Sequence, residues 1–158
     1  MRALHLLPQP LARVVVRAGA RAIALYNRAF HPHVRGVGVF VRHADHLLLV
    51  RSTYQSWWGL PGGRIDRGET PRVAAARELR EETALAVDPG ALTDLGDLHL
   101  EHNHIRDHVT FFELRCELEP IVRCDGAEIA ELRWVREGEI ASLKLWPPLA
   151  AWRARSGR

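Results

Sequence analysis

A glycine-rich loop followed at once by a carboxylate-bearing helix is the feature that most constrains this 158-residue chain. The loop covers residues 59–63, and Thr70 with Pro71 has the pattern of an N-cap residue and a first-turn proline. The pattern predicts a helix from there to about Thr83. Its three glutamates are spaced i, i+3 and i+4, which places them on one helix face: Glu78, Glu81 and Glu82.

Two interpretations of this helix face compete. Carboxylates at such spacing repel one another, so a bound cation is a natural compensator, and an all-oxygen set favours Mg²⁺, with Mn²⁺ as the alternative. Three glutamates alone are also typical of a solvated acidic face. The preceding glycines favour the first interpretation, because they allow backbone amides and carbonyls to approach an ion or a phosphate closely. Loop and helix together predict a metal–phosphate site.

The same stretch resembles the signature of the Nudix hydrolases, Gly-x5-Glu-x7-Arg-Glu-apolar-x-Glu-Glu-x-Gly-apolar. The matching positions are Gly63, Glu69, Arg77, Glu78, Leu79, Glu81, Glu82 and Leu85. Ala84 stands where the family has its last glycine, a departure expected to affect the backbone at the helix end rather than the metal chemistry. Residues 58–62 and 131–135 also resemble the family.

The resemblance implies an α/β fold, a Nudix-like α/β/α sandwich around a mixed β-sheet, to which the sequence adds an N-terminal amphipathic helix. It implies hydrolysis of a pyrophosphate bond in a nucleoside diphosphate linked to another group, with Mg²⁺ as cofactor and Mn²⁺ as the alternative. A catalytically weak nucleotide-binding or sensor module with the same fold is the rival interpretation.

Residue roles follow from the resemblance position by position. Glu78, Glu81 and Glu82 are the predicted catalytic residues and metal ligands, joined by the Gly63 carbonyl. Glu82 is the first choice for the base that takes a proton from water, with Glu128 and Glu113 as alternatives outside the signature. Glu69 and Arg77 are predicted to be structural.

Substrate contacts are expected outside the signature, where aromatic side chains can stack a base. Tyr54 and Trp57 are the stacking candidates, whereas Trp58 is predicted to be part of the core. Arg51, at the end of a predicted strand, is a candidate phosphate contact. The histidine-rich stretch over residues 98–108 is interpreted as a polar loop, with a substrate or proton-transfer role for His102 or His104 as the alternative.

The start of the chain is basic, with seven arginines and no acid before Asp45. Residues 1–30 are predicted to be a basic helical extension and residues 31–158 the Nudix domain. A helix over residues 11–28 would carry an arginine stripe, consisting of Arg13, Arg17 and Arg21, opposite an apolar face. Packing on its own domain or on a second copy is the favoured role, and contact with an anionic membrane is the alternative.

Other expectations concern partners and location. The predicted partner is a small nucleotide-type substrate, and no basic groove favours nucleic acid. The family resemblance makes a homodimer a reasonable assembly, while the sequence leaves the oligomeric state open. Two isolated cysteines, Cys116 and Cys124, favour a reducing, cytoplasmic location, membrane-peripheral if the arginine stripe binds lipid. Towards the end of the chain, residues 137–143 are predicted to begin a last helix that Pro147 and Pro148 stop.

Overall fold

The computed structural model describes residues 18–19, 21–22, 25, 28–30, 32–102, 104–124 and 126–157. The predicted helix over residues 11–28 lies largely outside these residues. It stays a prediction, as does the membrane contact assigned to its arginines. Within the described ranges, no helix has both the length and the hydropathy needed to cross a bilayer.

A five-stranded sheet forms the centre of the fold. The strands are β1 (His33–His43), β2 (His46–Ser52), β3 (Thr93–His102), β4 (Ile105–Cys116) and β5 (Ile129–Arg136). Their order across the sheet is β3-β4-β1-β2-β5. β1 and β4 are parallel, while the other neighbouring pairs are antiparallel. The sheet is therefore mixed, which confirms the predicted fold class.

The glycine loop is hydrogen-bonded to the first half of β1. β2 pairs with β1 only near the hairpin, where Arg42 faces Leu47. Nearer the start of β1, the Val37 amide donates to the Gly63 carbonyl and the Val39 amide to the Pro61 carbonyl, each at 2.9 Å. The backbone of the loop is thus fixed against the sheet beside the start of the carboxylate-bearing helix.

That helix is α1 (Pro71–Thr83), with the bounds that the sequence predicts. The Thr70 hydroxyl caps it by accepting from the Val73 amide, and the proline in the first turn needs no amide partner. Its small buried side chains, among them Ala74 and Ala75, let the helix approach one face of the sheet closely. Leu79, also buried, packs there in a cluster with residues of β1 and β4. Burying this apolar stripe leaves Glu81 exposed, with Glu78 and Glu82 partly buried at the border of the stripe.

A second helix, α2 (Pro147–Ser156), covers the other face of the sheet. Leu149 of α2 is fully buried in a cluster with Phe40 and Phe111. The two helices on opposite faces make the predicted α/β/α sandwich. Trp58 packs against this second cluster, in agreement with its predicted place in the core.

The prediction for the end of the chain is wrong. Residues 137–142 form a 3₁₀ helix, and α2 begins at Pro147 instead of ending before it. A proline fixes φ near its helical value and lacks only an amide that the first turn cannot pair, so it starts a helix as readily as it stops one.

Candidate active site

Arg77 joins the loop before α1 to the carboxylates on its surface. Its guanidinium donates to both carboxylate oxygens of Glu69, at 3.1 and 3.0 Å, and to the Arg64 carbonyl at 2.9 Å. It also donates to Glu78 at 2.7 Å and to Glu81 at 3.2 Å. One side chain therefore fixes the loop against the helix and partly neutralises two of the clustered glutamates.

The electrostatics differ between the two glutamates nearest Arg77. The hydrogen bonds from Arg77 hold the pKa of Glu69 below its usual value. Burial raises the pKa of Glu78, and Arg77 opposes that shift while the Glu81 and Glu128 charges add to it. Glu69 is thus stabilised as an anion, whereas Glu78 is a carboxylate short of solvation.

The glycines of the loop allow the carboxylates to come against its backbone. A Cβ on Gly63 would lie 2.5 Å from Oε1 of Glu78, so a larger residue there would displace that carboxylate. The Gly62 amide donates to Oε2 of Glu82 at 2.9 Å. Because Glu82 belongs to the last turn of α1, this bond closes the loop onto the far end of the helix.

The three glutamates are brought together, but Arg77 or the loop backbone holds each of them. In the part of the chain that the structure describes, no three His, Cys, Asp or Glu side chains are arranged as a metal-binding group. The donor set nevertheless fits a hard divalent cation, since it consists of clustered carboxylates. The Gly63 carbonyl faces β1 and accepts from the Val37 amide, and its role as a ligand stays a prediction.

A cavity of about 250 Å³ opens beside the loop. Aromatic and aliphatic side chains form much of its wall, including Tyr54, Trp57, Leu60, Val109, Ile129 and Trp146. Gly62, Gly63 and Glu82 bound it on the side of α1, together with Arg64. Apolar walls with a few polar groups are typical of a pocket for an aromatic ligand.

The negative charge at this end of the cavity affects the pKa of Tyr54. Burial, followed by the Glu128 and Glu82 charges, raises its pKa to about 12. The phenol therefore remains a hydrogen-bond donor throughout the physiological pH range. The charge of Glu128, an alternative base outside the signature, raises the pKa of Tyr54 and also that of Glu78.

The predicted substrate residues divide into two groups. Tyr54 and Trp57 line the cavity, as expected for side chains that would stack a base. Arg51 is not among the lining residues: it pairs with Glu131, its neighbour across β2 and β5, and its guanidinium lies 5.4 Å from the centre of the Trp58 ring. Strand register, which sequence alone does not provide, gives Arg51 this partner.

Glu113 and the histidine stretch also receive definite places. Glu113 pairs with Arg42 at 2.9 Å and with Arg115 at 2.8 Å, and neither partner belongs to the signature. The predicted loop over residues 98–108 is instead the end of β3 and the start of β4. Within it, His99 stacks on His108, with ring centres 4.1 Å apart.

Arg64, Asp107 and Trp146 are among the cavity residues that escaped sequence reasoning. Arg64 lies inside the signature but at a variable position, so the motif gives it no role. Asp107 and Trp146 are distant in sequence from the loop, and only the folded chain brings them to the cavity. For Asp107, the one available signal is that it is an acidic residue within the histidine-rich stretch.

Comparison with known proteins assigns this architecture to a group. Residues 32–155 match the NUDIX domain. A MutT-like protein from Streptomyces ambofaciens is 29% identical over 104 residues, which are 66% of this chain and 64% of that protein. A putative 8-oxo-dGTP diphosphatase 3 from Mycobacterium tuberculosis is 33% identical over 103 residues, 60% of this chain and 44% of that protein. The chain spans less than two thirds of either relative.

Solved structures agree on the fold. The MutT protein from Methanosarcina mazei Go1 has a TM-score of 0.69 at 22% identity, over 80% of this chain and 94% of that chain. A bifunctional NMN adenylyltransferase/ADP ribose pyrophosphatase from Francisella tularensis, complexed with AMP and a Mn ion, has a TM-score of 0.65 at 19% identity, over 86% and 47% of the two chains. At these identities the likeness shows the fold alone.

Proposed function

The chain belongs to the NUDIX domain family, and from that premise we propose that it is a divalent-metal-dependent hydrolase cleaving the pyrophosphate bond of a nucleoside diphosphate linked to another group. One observation carries the proposal. The carboxylate of Glu82, held by the Gly62 amide at 2.9 Å, lies at the boundary of a cavity whose lining includes aromatic side chains. A nucleotide bound there would place its base in the cavity and its phosphates beside the carboxylates.

The metal-binding residues in this proposal are Glu78, Glu81 and Glu82, with the Gly63 carbonyl as a further oxygen donor. Their chemistry suits Mg²⁺ or Mn²⁺. When bound, such an ion neutralises pyrophosphate oxygens and lowers the pKa of a water molecule. The structure determined with a Mn ion is of another protein with this fold, which supports a divalent ion here without choosing between the two.

The side chains around this group have separate tasks. Glu82 accepts the proton of the attacking water, and the Gly62 amide keeps the carboxylate oriented while it does so. Arg64, an exposed cation lining the cavity next to Glu82, binds phosphate oxygens. Arg77 and Glu69 do not touch the substrate and hold the loop against α1.

The aromatic side chains of the cavity bind the base. Trp57 and Trp146 offer flat apolar surfaces, and Tyr54 adds a hydroxyl that stays protonated. The name of one relative, a putative 8-oxo-dGTP diphosphatase, makes nucleoside triphosphates the first substrate class to examine. Sugar nucleotides and dinucleotides present the same pyrophosphate group and come next.

A turnover panel tests this function. The purified chain is incubated with nucleoside triphosphates including 8-oxo-dGTP, with sugar nucleotides and with dinucleotides, in Mg²⁺, in Mn²⁺ or in EDTA. We expect metal-dependent hydrolysis of one class and none in EDTA. A folded protein that binds nucleotide yet hydrolyses no class in either metal would contradict the proposal and favour the sensor interpretation.

A further inference from the structure

One carboxylate lines the cavity away from α1, in a wall that also includes apolar residues and the polar Ser52 and Gln55. Asp107, near the start of β4, is only 7% exposed and lines the cavity beside Val109. Neither residue belongs to the Nudix signature. A buried carboxylate is costly unless hydrogen-bond donors reach its oxygens, so its burial in the cavity wall calls for a physical reason.

His102 supplies one of those donors. Its Nε2 lies 2.9 Å from Oδ2 of Asp107, and the two side chains are 11% and 6% exposed. The pairing of β3 with β4 fixes this contact, because His102 lies opposite Ile105 and Leu100 opposite Asp107. The histidine therefore holds the carboxylate in one orientation at the cavity wall.

The bond from His102 leaves most of the carboxylate's capacity unused. An ionised carboxylate accepts at about four lone-pair sites on its two oxygens. Among the described residues, no side chain other than His102 is hydrogen-bonded to the Asp107 carboxylate. A ligand in the cavity that presents N–H groups would satisfy the remaining sites.

We propose that Asp107 is a specificity-determining residue that accepts two N–H bonds from the edge of a guanine-type base, and that His102 is the residue that positions it. The inference rests on the proposed function, because it assumes that a nucleotide occupies the cavity. It assigns the base class for which the signature provides no information.

The chemistry of the bases selects guanine. A carboxylate offers two coplanar acceptors and no donor, so it matches an edge with two adjacent donors. Guanine has this edge in its ring N1–H and its exocyclic amino group. Adenine and cytosine place an acceptor beside their amino group, and that acceptor would face the carboxylate unpaired. Such a mismatch in a buried site is the strongest basis for discrimination.

Binding without turnover provides the first test. GMP, IMP and AMP are titrated in EDTA, with quenching of tryptophan fluorescence as the signal, since Trp57 and Trp146 line the cavity. We expect GMP to bind at least about tenfold more tightly than IMP, which lacks the amino group, and than AMP. Equal binding of GMP and either competitor, or no binding of any of the three, would overturn the proposal. This comparison needs only the wild-type chain.

Variants of the carboxylate provide the second test. Asp107→Asn replaces one acceptor by a donor at constant size, so it should remove the preference for GMP over AMP while melting like the wild type. Glu101→Gln is the matched control, because it removes one carboxylate from the same hairpin at an exposed pair with Arg106. The control should keep the preference. A preference unchanged in Asp107→Asn would refute the assignment.

His102 is tested by donor rescue. His102→Gln retains an N–H donor and should keep most of the GMP preference, whereas His102→Leu should reduce it. If both variants match the wild type, His102 does not position the carboxylate.

The proposed function and the role of Asp107 fail in different ways. Selective GMP binding with no hydrolysis of any nucleotide counts against the enzyme alone, and hydrolysis without GMP selectivity counts against Asp107 alone.

Discussion

The carboxylate of Glu82 accepts a hydrogen bond from the backbone amide of Gly62 at 2.9 Å. This contact connects the last turn of α1 to the loop that is hydrogen-bonded to β1. It brings together two residues that are twenty positions apart in the sequence, at the edge of the cavity. The geometry of the proposed base depends on the loop, and the loop depends on Gly62 having no side chain.

Replacing Gly62 by alanine should therefore be strongly destabilising. A Cβ there would lie 2.1 Å from the Val37 carbonyl oxygen, and φ at Gly62 is +154°. We expect Gly62→Ala to lower the free energy of unfolding by about 2–4 kcal/mol, through backbone displacement and strain. Urea denaturation measures this. Gly138→Ala is the control, with open space around its Cβ, and should change stability by less than about 0.5 kcal/mol.

Ala84→Gly should have the opposite effect. Ala84 follows the last residue of α1 with φ of 60°, a left-handed conformation that costs a side-chain-bearing residue about 1 kcal/mol. We expect glycine there to raise the free energy of unfolding by about 0.5–1 kcal/mol and to leave turnover unchanged. Ala150→Gly, at an exposed position inside α2, should instead lower stability by about 1 kcal/mol. Equal effects of both changes would contradict the backbone explanation.

The signature region could be predicted closely because its structure follows from local features of the sequence. The start of its helix follows from local signals, namely the Thr70 cap and the proline after it. The contacts of Arg77 with Glu69, Glu78 and Glu81 join residues at most eight positions apart. Local spacing therefore carries most of the information about this part of the site.

The Glu69–Arg77 pair makes stability depend on pH. Because Arg77 holds the pKa of Glu69 below its unfolded value, the pair stabilises the fold at neutral pH and loses that contribution as pH falls through the folded pKa. Glu69→Gln should cost about 1–3 kcal/mol at pH 7 and clearly less at pH 3. Urea denaturation at both pH values measures the difference. A cost equal at both pH values would show that charge is not the cause.

Replacing Arg64 and replacing Arg51 should have different effects, because Arg64 lines the cavity whereas Arg51 has a structural ion pair. Arg64 lines the cavity beside Glu82, so Arg64→Ala should raise KM for a hydrolysed nucleotide about tenfold. Arg51 pairs with Glu131 and lies over Trp58, so Arg51→Ala should change KM less than about twofold. Steady-state kinetics on one substrate compares them. The opposite ranking would restore Arg51 as the phosphate contact.

Two of the parts that sequence reasoning missed depend on long-range pairing. Arg51 receives Glu131 as its partner from the register of β2 on β5, and Asp107 reaches the cavity through the pairing of β4 with β1 and β3. Neither of these two strand pairings has a local signal in the sequence. Pro147 was missed for a different reason: a proline can begin a helix as well as end one, and its identity alone does not show which of the two it does.

The most direct measurement is the turnover number of Glu82→Gln beside the wild type, in saturating Mg²⁺, on a nucleotide that the wild type hydrolyses. Glutamine keeps an oxygen for the Gly62 amide, so the loop and the melting temperature should be preserved while the proton acceptor is lost. We expect kcat to fall at least about a hundredfold. A folded Glu82→Gln protein with kcat within about threefold of the wild type would contradict the catalytic role assigned to this site.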